Sequence, residues 1–205
     1  MLFRSRESFE TREKETPRLP SYVSGIFCEE QEREIIAFLL NSGEQVLFHH
    51  KTDDFEEQEI TITVAQYIID EILNDELEFQ NLVYKKIFDE YGKLLTENKT
   101  TDNRHFINHQ DTQISQLAVD ILSSRYKLSR IWGDQNEEDF LQRAVPKAIQ
   151  VYKSKILKTA IKRLMDVLAN LKSEQKDDRN DILSKLNQLN DLMNIMSKDL
   201  DRVIL

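Results

Sequence analysis

One cysteine, four glycines, three prolines and one tryptophan in 205 residues set the first limits on this sequence. A lone thiol, Cys28, builds neither an intrachain disulfide framework nor a multi-cysteine zinc site. So few glycines and prolines exclude a turn-rich sandwich or barrel, and 40% hydrophobic residues exclude a disordered chain. No apolar run nears the roughly 20 residues that span a bilayer, and the opening "MLFRSRESFETREKE" has no signal-peptide core. These absences predict a soluble, cytoplasmic, all-α protein in a reducing compartment, with no cofactor and no membrane partner.

A basic surplus is missing as well: the net charge is −9. Phosphate contacts need clustered Lys and Arg, so direct sequence-specific binding of nucleic acid is not expected. The imbalance is uneven along the chain. Residues 26–91 hold seventeen Asp or Glu against four Lys or Arg, whereas residues 147–172 hold seven basic residues and one acidic, Asp166. Two oppositely charged solvated faces explain this polarity, with steering of a partner as the functional reading.

The apolar pattern is helical nearly throughout. Residues 1–25 mix charges, Pro17 and Pro20 without periodicity and read as a linker or tether. From there to residue 145 a helical bundle is expected. Ile35, Ile36, Leu39 and Leu40 form one stripe; Val64, Tyr67, Ile68, Ile69 and Leu73 another, with Thr63 as N-cap. Leu82, Tyr84, Ile87, Phe88 and Tyr91 continue it, followed by Ile114, Leu117, Ala118, Ile121 and Leu122. "EQVLFHH" and "QEITIT" fit short extended pieces or helix-entry turns. Asn136 can cap the next helix, and Pro146 predicts a break or kink from which a long helix runs on.

Residues 146–205 read as a helical hairpin. Leu157, Ile161, Leu164, Leu168 and Leu171 step by four and three, the spacing of a coiled-coil seam. Ile182, Leu186, Leu189, Met193, Met196, Leu200 and Val203 repeat it after the polar "KSEQKDDRND". Leu183, Leu192, Ile195, Ile204 and Leu205 lie off the seam and call for a further partner, the bundle or another protein.

The stretches "ITVAQYIIDEI…LEFQNLVYKKIFDEY" and "SQLAVDILSSRYKLSRIW", the proline-preceded long helix and the ending "LDRVIL" together resemble the C-terminal, helicase-binding domain of bacterial DnaG-type primases. The resemblance covers about residues 28–205 and rests on order and spacing, since that domain has no catalytic signature. It implies a bundle followed by a hairpin that binds the N-terminal domains of the replicative helicase DnaB and recruits primer synthesis to the replication fork. It also implies that residues 1–25 end a linker from zinc-binding and catalytic parts, which have no counterpart in this sequence. The helicase contact carries over only as a region, Met193, Met196, Leu200, Arg202, Val203, Ile204 and Leu205, each of which also suits the core of the hairpin.

Other candidates have plainer readings. His105 and His109 are four apart and flanked by Asp102 and Asp111, but "DNRHFINHQD" is turn-like, and a metal there is not expected. His49 and His50 would point to opposite sides of a strand. The run "DDFEEQE" suits a solvated turn better than catalysis, and Trp132 reads as a packing anchor. Lys155, Lys158 and Lys162 share a helix face. That face reads as solvated, with phosphate or an acidic peptide tail as the alternative; the resemblance implies such a tail on single-stranded-DNA-binding protein. No nucleotide fingerprint or nucleophile constellation is present, so the chain by itself is not expected to be an enzyme. The competing functions are a free-standing coiled-coil adaptor and a small metal-dependent hydrolase.

Overall fold

Glu32 stands in an acidic first helical turn and yet is only 1% exposed, because its carboxylate ties three elements together. The computed structural model describes residues 28–51, 59–97, 99, 103–129, 137–171 and 176–203. In order, these form helix α1 (Glu29–Ser42), strands β1 (Val46–Lys51) and β2 (Glu59–Thr63), and helices α2 (Val64–Asn74), α3 (Leu82–Thr96), α4 (Asn103–Ile107), α5 (Thr112–Ser129), α6 (Glu137–Asn170) and α7 (Lys176–Val203). The fold is thus largely all-α, with one small antiparallel hairpin. Residues 1–25, Trp132, Asn136 and the segment 52–58 lie outside the described residues.

The two ambiguous segments are strands. β1 and β2 pair antiparallel with a register irregularity between Val46 and Phe48. At that bulge Leu47 is fully buried, while Phe48 meets Tyr67 edge-on with ring centroids 5.6 Å apart. Thr63 then ends the strand and starts α2. Its hydroxyl accepts the Gln66 N–H at 3.2 Å, and the Gln66 side chain accepts the Thr63 N–H at 2.9 Å, a reciprocal capping box. At its other end α2 closes with Glu76 N–H on Leu73 O at 3.0 Å and Leu77 N–H on Ile72 O at 2.9 Å. That Schellman pattern puts Glu76 at φ 52°, a left-handed position where glycine is the unstrained residue.

The body's core joins the buried stripes of α1, α2, α3 and α5 to the first half of α6. Ile35, Ile36, Ile68, Ile72, Ile87, Ile114, Ile149 and Tyr152 are all at most 1% exposed. Two stripe positions fall elsewhere: Leu73 is 59% exposed and Leu82 73%. Each stands at a helix end, where the stripe has already turned away from the core. Gly43 follows α1 because a Cβ there would lie 2.1 Å from the Tyr91 hydroxyl.

Of the break or kink expected at Pro146, the break is absent. α6 runs through it for 34 residues, or about 50 Å at 1.5 Å per residue. Buried Leu141, Val145 and Ile149 hold both sides of the proline to the body, which outweighs the loss of one helical hydrogen bond. The body cluster takes α6 as far as Ile156, and a second cluster takes it from Leu157 onward.

Glu32 accepts the backbone N–H groups of Gln80 at 2.7 Å and Asn81 at 3.0 Å. The Tyr152 hydroxyl approaches it at 3.4 Å and donates to Glu78 O at 3.0 Å. Asn81 in turn caps α3, its side chain accepting the Val83 N–H at 2.9 Å. Nearby, Lys153 of α6 binds Glu71 at 2.5 Å and Asp75 at 2.8 Å. Burial lowers the Lys153 pKa, but the Asp75 and Glu71 carboxylates outweigh it and leave the ammonium above its ordinary value.

Two outcomes are expected here. Tyr152→Phe removes a donor from a buried network and should cost about 1–3 kcal/mol in urea denaturation, whereas an unchanged midpoint would show the network to be idle. Glu32 has a raised pKa, chiefly from burial, opposed by the Gln80 and Asn81 N–H bonds. A raised carboxyl binds its proton more tightly in the folded chain, so its contribution favours folding in acid and is lost as pH rises through the folded-state pKa. Urea midpoints of Glu32→Gln, compared with wild type from about pH 4.3 upward, should lack that fall, and an identical slope would contradict the assignment.

Candidate functional site

The second half of α6 and the whole of α7 form the hairpin. At 28 residues α7 is about 42 Å long, and it packs along α6. Leu157, Ala160, Ile161, Leu186 and Leu189 are buried at the centre of the contact. Leu164, Leu168, Ile182, Leu192, Met193 and Met196 pack against them, half-buried. Two helices cover only one stripe of each other, so this seam is narrow and its edges stay accessible.

Of the expected contact residues, Met193 and Met196 therefore pack against the hairpin's own cluster while staying half-exposed. Leu200, Arg202 and Val203 belong to α7 by backbone, with side chains outside the described part, and Ile204 and Leu205 lie outside the described residues. Leu192, an off-seam position, is absorbed by the hairpin as well. Among the described side chains of the hairpin, the exposed large hydrophobic ones are Met165 at 51%, Val167 at 49%, Leu183 at 40% and Ile195 at 58%. Sequence spacing pointed to Leu183 and Ile195 but gave no signal for Met165 and Val167, which lie just beside the seam of α6.

The three lysines of the basic face differ in exposure. Lys158 and Lys162 are exposed, and Lys155 is half-buried close enough to Cys28 to act on it. Burial, followed by the Glu32 charge, pushes the Cys28 thiol above its ordinary pKa, as suits a residue packed in the core.

The two histidines converge on Glu90. His105 Nε2 lies 2.6 Å from Glu90 Oε1, and His109 Nε2 lies 3.1 Å from Glu90 Oε2. His109 Nδ1 accepts the Asp111 N–H at 2.9 Å, so the proton of the neutral ring sits on Nε2 and is donated to Glu90. Lys86 holds Asp111 at 2.7 Å and its carboxyl below the ordinary range. Among the described residues no group of three or more His, Cys, Asp or Glu is arranged to hold a metal ion. The cluster fastens α4 to α3 instead, together with Phe106, fully buried and stacked on Tyr91 at 5.8 Å. His49 approaches Glu138 at 3.9 Å across the join of β1 and α6.

A family model described as "Domain of unknown function (DUF8430)" matches residues 13–203. The chain belongs to the DUF8430 family. No curated protein and no solved structure matches it. The DUF8430 match takes in the body and the hairpin together, so both belong to one family unit. Among the described residues no helix of this DUF8430 chain is long and apolar enough to cross a membrane.

The hairpin's independence from the body can be measured. Leu186→Asp places a charge in the buried seam and should abolish the protection of α7 amides from hydrogen exchange while α1 and α3 keep theirs. Loss of protection throughout the chain would mean that the hairpin and the body form one cooperative unit.

Proposed function

We propose that this chain is a non-catalytic protein-interaction module, the C-terminal domain of a DNA primase, whose hairpin binds the N-terminal domains of a DnaB-type replicative helicase and so recruits primer synthesis to the replication fork. The observation that carries the reading is the hairpin itself. Its apolar cluster is separate from the core of the body, and its seam leaves Leu164, Leu168, Ile182, Leu192, Met193 and Met196 only half-covered. Long helices with an accessible apolar edge are suited to a helical partner, which completes the layer without unfolding the hairpin. Helicase as that partner rests on the resemblance in order and spacing, which implied a bundle followed by a hairpin, the arrangement the described residues adopt.

A metal-dependent hydrolase has less in its favour, since among the described residues no group of three or more His, Cys, Asp or Glu is arranged to hold a metal ion. A free-standing adaptor differs from the primase reading only in its partner. Single-stranded-DNA-binding protein, through an acidic tail on Lys155, Lys158 and Lys162, is a secondary proposal of the same kind.

Co-elution with a DnaB-type helicase tests the reading. The 205-residue chain should bind, and a chain ending at Ser197 should lose binding while circular dichroism still shows a folded body. An anchor contact of a few kcal/mol is enough to remove micromolar affinity. Failure of the full chain to bind, or full binding by the truncated one, would sink the proposal. Template-dependent ribonucleotide incorporation by this chain alone would overturn its non-catalytic part.

A further inference from the structure

We propose that the distal half of α7, from Met193 onward, is a releasable arm. It closes on α6 over a polar step in the hairpin seam, Gln150 and Ser154, and lifts from that step as an intact helix. The seam spacing of α6 does not stop at Leu157. Counted back toward the body, a step of three leads to Ser154 and a further step of four to Gln150. Both stand two residues from Tyr152, whose hydroxyl meets Glu32 in the body, so each lies about 160° around the helix from it. Ser154 thus faces away from the Glu32 network and yet is only 6% exposed. The element packed along the seam side of α6 is α7.

The levels of the two helices match. Leu157 and Leu189 are both buried in the hairpin cluster. In an antiparallel pair Met193, four residues past Leu189, comes opposite Ser154, three before Leu157. Met196, seven past Leu189, comes opposite Gln150, seven before Leu157. Two thioethers therefore close over a hydroxyl and an amide. Ser154 Oγ and Gln150 Oε1 are buried and have no hydrogen-bond partner among the described residues. A helical hydroxyl has the carbonyl four residues back within reach, and Thr159 uses it, donating to Lys155 O at 2.9 Å. Ser154, one turn earlier, makes no such bond.

Each of those polar atoms gives up water without compensation while the arm is down and regains it when the arm lifts. The seam nearer the tip carries no such cost, because Leu157, Ile161, Leu186 and Leu189 meet as apolar side chains. Grip therefore falls along α7, from buried leucines to half-buried methionines, whose flexible side chains suit a contact that is made and broken. Backbone hydrogen bonds run within the helix, so the arm pivots about the Leu186 and Leu189 contact without losing them. Lifted, it presents Met193 and Met196 as an open apolar stripe; closed, it half-covers them. The hairpin thus occludes part of its own contact surface. Use of that stripe by a helicase rests on the function proposed above, whereas the lift belongs to the chain alone.

Thiol labelling of the full chain is the test. Cys28, fully buried in the body, serves as the reference, and Ser154→Cys adds a nearly isosteric thiol beneath the arm. Labelling by N-ethylmaleimide in native buffer is read by mass spectrometry, each thiol normalised to its rate in the urea-unfolded chain. The introduced thiol should react about tenfold faster than Cys28 or more. Adding Gln150→Leu should slow it about fivefold, and adding Met193→Asp with Met196→Asp should instead speed it about tenfold, with Cys28 slow in every chain. An introduced thiol no faster than Cys28 overturns the proposal, as does one that either change leaves unmoved. So does one that reacts at its unfolded rate from the start, since nothing would then close over Ser154. Gln150→Leu in the otherwise unaltered chain answers without the reporter: its α7 amides should exchange about fivefold more slowly than those of wild type, and an unchanged rate contradicts the polar step.

Discussion

The body of this protein depends on one buried carboxylate. Glu32 is removed from water beside Cys28 and Tyr152, a cost that its hydrogen bonds offset only in part, which leaves its pKa raised. Its two oxygens take the Gln80 and Asn81 N–H groups, which would otherwise be unsatisfied at the start of α3, and the Tyr152 hydroxyl comes in from α6. A single side chain on α1 thereby fixes where α3 begins and how α6 lies across both. The other polar ties are more exposed and follow from that placement. Lys153 reaches Glu71 and Asp75 because Tyr152 has brought its turn of α6 to the end of α2.

From this anchor α6 acts as a shared beam. Its first half is core for the body, its second half is core for the hairpin, and the change occurs between Ile156 and Leu157 with no break in the helix. A continuous helix transmits orientation, so the hairpin is held at a fixed direction although its own cluster is small. Thinness and reach come together here: a pair of helices that bury one stripe apiece must leave apolar edges in solvent, and those edges are what a partner can use. The larger buried core sits in the body, and the accessible apolar edges sit in the hairpin.

Much of this was legible in the residues. Period-3.6 stripes located α1, α2, α3, α5 and the hairpin, and Thr63 was recognisable as a cap because a hydroxyl before an apolar run has a defined use. Where sequence reasoning failed, the physics was non-local. Glu32 looked like one more solvated acid in a first helical turn, since nothing in the local pattern announces two backbone N–H groups 48 and 49 residues away. Leu73 and Leu82 matched their stripes but fell at helix ends, where periodicity no longer decides which way a side chain faces. α4 was missed because five residues are too few to show a period, although Phe106 is fully buried. Pro146 argued for a break that tertiary burial overrode. At the candidate site, spacing grouped Met193 and Met196 with the seam and left both uses open, hairpin core and partner contact, and the structure packs them against the hairpin's cluster.

The claim that a firmly tied body carries a separately stabilised hairpin is tested most directly by native-state hydrogen exchange of the wild-type chain in increasing, sub-denaturing urea. The amides of α7 and of the last part of α6, beyond Leu157, should exchange together through a partial opening. Those of α1, α3 and the first half of α6 should exchange only with global unfolding. A single shared opening free energy for α7 and α1 would contradict the account.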